Sequence, residues 1–153
     1  MDDRTTIVVD GGTLPPALDE AMIHQVVHRF YDAIQADPLL GPVFGGAIKP
    51  EAWPVHLAKM CDFWSSSLLR SGRYEGRPLP PHLRLPGLEE KHFRRWLELF
   101  RATLRETCPP EVRRLFMGRA LRMAQSFRLS IAFSRGEDTL GVKSIVEDSL
   151  GDA

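Results

Sequence analysis

The sequence predicts an all-α chain. Apolar residues recur at three- and four-residue steps in four separate stretches, and no stretch alternates with a period of two. The prolines fall between these stretches or in their first turns, where a helix tolerates them. No internal repeat or heptad run is present.

Residues 1–20 carry Gly11-Gly12 and Pro15-Pro16 without helical spacing, and read as an N-terminal extension, poorly ordered or partly helical. Ile23, Val26, Val27, Phe30, Tyr31 and Ile34 then form one apolar stripe, predicting a helix over about 20–35. Asp19 and Glu20 suit its positive end, and Asp37-Pro38 ends it. Leu39, Leu40, Val43 and Phe44 follow in a corner punctuated by Gly and Pro.

A second helix is expected from about Pro50 to Ser71-Gly72, with Pro54 confined to its first turn. Trp53, Leu57, Met60, Cys61, Trp64 and Leu68 make one stripe, and His56, Met60 and Phe63 an adjoining one, so two apolar neighbours are expected. Phe93, Trp96, Leu97, Phe100 and Leu104 predict a third helix over about 89–106, broken at Cys108-Pro109-Pro110. Val112, Phe116, Ala120, Met123, Phe127 and Ile131 predict a fourth over about 110–133. The tail, 134–153, has weak helical character and no strong claim on the core.

Composition bounds the rest. A chain of 153 residues with 43% hydrophobic side chains and balanced charge, 20 basic against 20 acidic, suits one folded domain rather than a disordered tail. Two cysteines make no disulfide scaffold: Cys61 lies on a buried stripe, and Cys108 is expected at an exposed turn. No apolar run reaches the length of a membrane span, and the acidic start does not look like a secretory signal. A cytoplasmic location is expected.

Residues 72–88 pose a problem for a plain bundle, whose connections are commonly short. The side chain there with ligand chemistry is His82, behind Pro80-Pro81. A lone histidine in a loop is more often a cap or a surface residue. Yet the helix from 56 to 70 runs about 21 Å, and the chain from 70 to 82 reaches up to about 40 Å. His82 can therefore face His56 across a slot lined by Met60 and Phe63, with Phe44, Tyr31 and Trp96 nearby. Each of these aromatics alone reads as ordinary core.

Four segments carry a more specific signal. FYDAIQADPLLGPVF (30–44), WPVHLAKMCDFWSSSLL (53–69), YEGRPLPPHLRLP (74–86) and HFRRWLELF (92–100) together resemble the group III truncated haemoglobins, in the family's order, over about 21–133. The resemblance implies two helix pairs stacked two-over-two around a haem b. It assigns His82 as proximal iron ligand, Tyr31 and Trp96 as distal ligand-stabilising residues, and His56 as the distal histidine and an optional sixth ligand. Phe44 would pack on the porphyrin and Lys59 meet a propionate, with Met60 and Phe63 lining the pocket. No C-x-x-C-H is present, so the haem would be held non-covalently.

The implied function is binding of O2 and other diatomic ligands at a penta- or hexacoordinate iron, in redox handling of O2, NO or peroxide. NO dioxygenation or a peroxidase-like reaction would need a separate reductase, since the chain carries no flavin or nicotinamide module. A second reading is a haem-free module for an anionic partner. Residues 91–135 hold eleven basic against three acidic side chains, a local balance of +8. No helix-turn-helix pattern accompanies them, which disfavours nucleic acid. Two lesser expectations concern other histidines. His24, His28 and Asp32 share a helical face that reads as solvated rather than metal-binding, and His92 reads as the start of a helix rather than as an iron ligand.

Overall fold

The computed structural model describes Val8–Val9 and residues 12–75 and 87–152. Among the described residues, five α-helices carry the architecture: α1 (Glu20–Ala36), α2 (Gly41–Ala47), α3 (Trp53–Trp64), α4 (Glu90–Thr107) and α5 (Pro110–Ser134). Two residues at Val8–Val9 (β1) pair antiparallel with Gly12–Thr13 (β2). Among the described residues no helix is long and apolar enough to cross a membrane.

Helix α1 begins where expected, because the Asp19 carboxylate accepts the Met22 backbone N–H at 2.9 Å. It packs on α3 and on α4, and α4 packs in turn on α5. Its whole predicted stripe, from Ile23 to Ile34, is buried. Phe30, Phe100 and Phe116 are almost fully buried at the centre of the core. Phe100 is the hub: Trp64 and Trp96 both stack on it at 5.3 Å, and Phe30 meets it edge-on at 4.9 Å. Aromatic pairs of this kind contribute about 0.5–1.5 kcal/mol each beyond area burial.

The structure alters four expectations. The corner after Pro38 holds a helix, α2, because Pro42 sits in its first turn and starts the helix instead of blocking it. Gly41 is required there: a Cβ at this position would lie 2.8 Å from the Gln35 backbone oxygen. The second predicted helix is three pieces, a 3-10 turn at Pro50–Ala52, α3, and a π turn at Ser65–Leu69 that ends on left-handed Arg70. Cys108 is buried rather than exposed, its thiol 3.5 Å from the Met22 sulfur, and Cys61 is half-buried. The tail does join the core through Ile145 and Leu150. Arg101 holds it there, donating to the backbone oxygens of Glu147, Leu150 and Gly151. Ahead of α1, Leu14 and Leu18 are also buried in the core.

Candidate functional site

The helices enclose a cavity of about 570 Å³ beside the aromatic core. That is the size range of pockets for small organic molecules and cofactors. Helix α1 contributes Tyr31, α2 contributes Phe44, and α3 contributes His56, Lys59, Met60 and Phe63. Trp96 enters from α4. Seven side chains singled out in the sequence therefore share one cavity. His82 lies outside the described residues.

One wall is a cluster of rings that carry polar atoms. His56 is held between two partners, edge-on to Tyr31 at 4.9 Å and to Trp53 at 5.4 Å. Tyr31 also packs against Phe44 at 6.0 Å. The contact between α1, α2 and α3 thus fixes the imidazole's orientation. Burial pushes the Tyr31 phenol well above its ordinary value, so it stays protonated and able to donate. Met123, Ala124 and Phe127 from α5, Phe93 from α4 and Leu88 before it add apolar lining to the same cavity.

Two polar devices fix the frame. Asp37, 5% exposed at the C-terminal end of α1, accepts the Leu39 and Leu40 N–H groups and the Arg95 guanidinium at 2.7 Å. Burial alone would raise its pKa, but these donors together hold the carboxyl below its usual value. The clamp locks the corner carrying Phe44 to the helix carrying Trp96. Arg73, which lines the cavity, donates to both Glu20 oxygens, at 2.8 and 3.0 Å, and to Asp62 at 3.0 Å. Glu20 also accepts from the buried Ser65 hydroxyl at 2.7 Å. The hydrogen bond from Arg73 holds Glu20 below the usual carboxylate range.

His92 also reaches the cavity. Its Nδ1 accepts the Glu89 N–H at 3.0 Å, closing a reciprocal cap on α4. With Nδ1 so used, neutral His92 carries its proton on Nε2 and has no lone pair there to offer a metal. On the outer face of α1, the rings of His24 and His28 stack at 3.8 Å. Among the described residues no group of three His, Cys, Asp or Glu side chains could hold a metal ion.

Sequence reasoning did not assign Met123, Ala124 and Phe127 to this site, although the α5 stripe contains two of them. A stripe facing a cavity and a stripe facing a core have the same period. Arg73 and Trp53 were missed for a different reason. Their roles come from partners far along the chain, Glu20 for one and Tyr31 for the other.

No family model matches the chain. Comparison with curated proteins is more informative: the chain is 34% identical over 113 residues to the Group 3 truncated hemoglobin Ctb of Campylobacter jejuni. That match covers 72% of this chain and 89% of the relative. Among solved structures, a group III truncated hemoglobin from Campylobacter jejuni matches with a TM-score of 0.71 at 34% identity, covering 74% of this chain and 91% of the other. Identity at this level over nearly the whole relative, with the same helical fold, means that the chain belongs to the group III truncated haemoglobins.

Proposed function

We propose that the cavity binds one non-covalent haem b and that the protein binds O2 and other diatomic ligands there, in redox handling of O2, NO or peroxide. One observation carries this reading. Tyr31, His56 and Trp96 line one cavity of about 570 Å³ together with the apolar Phe44, Met60, Phe63, Met123 and Phe127. The donor set fits the group. The many apolar lining side chains suit a porphyrin, and Lys59, exposed and lining the same cavity, suits a propionate.

His82 would be the proximal ligand, with His56 able to act as a sixth. The hydrogen bond that occupies His92 Nδ1 argues against His92 in that role. When bound, haem iron supplies a coordination position for a diatomic gas. The chain's own residues supply the rest. Tyr31, kept protonated by burial, donates its O–H to a polar gas ligand, and the Trp96 indole N–H is a second donor. Both line a cavity with many apolar side chains, where hydrogen bonds are stronger than in water. His56, braced by Tyr31 and Trp53, is the group that admits or hydrogen-bonds the ligand. Phe44, Met60 and Phe63 exclude water from the same space.

The test is O2 dissociation from the ferrous protein. Tyr31→Phe and Trp96→Phe should each speed it by about tenfold or more, as loss of a buried charge-assisted donor implies. Unchanged rates in both variants would remove these residues from ligand stabilisation. Stopped-flow NO consumption and peroxide turnover, each with an external electron donor, separate the two redox reactions. Absence of both would leave a binding protein.

A further inference from the structure

The eleven basic side chains of residues 91–135 divide into three groups. Lys91, Arg94, Arg95 and Arg128 pair with carboxylates. Arg101, Arg119 and Arg135 donate to backbone oxygens or a serine hydroxyl. Arg105, Arg113, Arg114 and Arg122 make no ion pair or hydrogen bond among the described residues. Three of those four, Arg105, Arg113 and Arg114, line a single pocket of about 230 Å³, together with the buried Arg101. This pocket shares no lining residue with the large cavity.

The setting adds to the positive charge. Pro110 lines the pocket and opens the 25-residue helix α5, whose N-terminal end has no side-chain cap. Such an end carries partial positive charge, which Glu111 in its first turn partly offsets. Glu147 is the one acidic residue in the lining, brought there by the bonds from Arg101 that anchor the tail. Four guanidinium groups line the pocket against one carboxylate, and an anion bound among them would relieve their mutual repulsion. A guanidinium fork matches phosphate oxygens two at a time. The volume falls below the usual range for drug-sized ligands, about 300–1,000 Å³, and so suits one or two phosphoryl groups. The concave shape and the α4–α5 corner do not offer the exposed recognition helix that a nucleic acid would need.

We propose that this pocket binds the phosphoryl groups of a small soluble phosphorylated molecule, as a second site separate from the large cavity. The probe is inorganic pyrophosphate, titrated calorimetrically into the purified full-length protein at low ionic strength. One saturable site with a dissociation constant below millimolar is expected. Arg113→Gln and Arg114→Gln, at half-exposed and exposed positions, should each weaken it at least tenfold, with thermal melts unchanged. Arg122→Gln removes the same charge from the same helix outside the pocket, and should leave binding within twofold.

Failure of pyrophosphate to saturate would overturn the proposal. So would an equal loss in Arg122→Gln, which would mean attraction by net charge alone. Adenosine diphosphate displaced by pyrophosphate would identify a soluble phosphate as the ligand. Binding confined to phosphatidic acid vesicles, with none to pyrophosphate, would overturn it. Because the two sites share no residue, this outcome is independent of haem binding.

Discussion

The rings around Phe100 and the rings around Tyr31 are packed at similar distances but have different work. In the first cluster, Phe30, Trp64 and Trp96 surround Phe100 at 4.9–5.3 Å. In the second, His56, Trp53 and Phe44 surround Tyr31 at 4.9–6.0 Å. The first centres on the fully buried Phe100 and is made chiefly of hydrocarbon, with Trp64 and Trp96 at its cavity edge, so its value lies in burial and dispersion. The second keeps polar atoms on its rings and faces a cavity, leaving those atoms available to a guest. Trp96 belongs to both, stacked on Phe100 while lining the cavity. Stability should therefore concentrate in the first cluster and ligand chemistry in the second.

Substitutions can break that division, beginning with the hub. Phe100→Ala should cost about 4 kcal/mol in denaturant unfolding, the usual loss for a buried phenylalanine, and should also disturb the cavity through Trp96. A loss below about 1 kcal/mol would mean that the hub is not the centre of the core. Asp37→Ala comes next, at about 3 kcal/mol, because it strands two backbone N–H groups and the Arg95 guanidinium.

The same carboxylate gives a pH signature. Its folded pKa lies below the unfolded one, so its contribution is present above about pH 4 and disappears as pH falls through the folded value. Acid unfolding followed by circular dichroism should flatten in that window for Asp37→Asn. An unchanged acid limb would assign the pH dependence elsewhere, to the Glu20 carboxylate held by Arg73 first of all.

Gly41→Ala should cost about 2 kcal/mol, since backbone must move to admit the methyl group. It should also displace Phe44, and so change ligand access more than its stability cost alone would suggest. The smallest stability effect is expected at the second cluster's polar atom. Tyr31→Phe should change unfolding free energy by about 1 kcal/mol or less, while speeding O2 dissociation by about tenfold or more. A large stability loss there, with unchanged gas kinetics, would reverse the comparison.

The sequence made the helices legible because each buries one stripe against neighbours, and burial imposes the 3.6-residue period. Where a different force acts, the period is silent. Pro42 reads as a breaker but starts α2. Cys108 sits between a helix and two prolines, and turns inward against Met22, a partner far along the chain. Ile145 and Leu150 belong to no stripe and are held by Arg101, whose charge gave no hint of a buried position. At the site, Tyr31 and Trp96 have core spacing and gain meaning only beside His56. Met123, Ala124 and Phe127 on α5 have the same period whether they meet a core or a cavity.

The central claim is that the large cavity holds a haem through His82. The direct measurement is the absorption spectrum of hemin-titrated wild type and His82→Ala, with circular dichroism to establish that both fold. Wild type should saturate at one haem per chain with a sharp Soret band that shifts on reduction. His82→Ala should remain helical while losing that band or showing a changed coordination spectrum. A His82→Ala protein with the wild-type Soret band and iron stoichiometry would contradict the account.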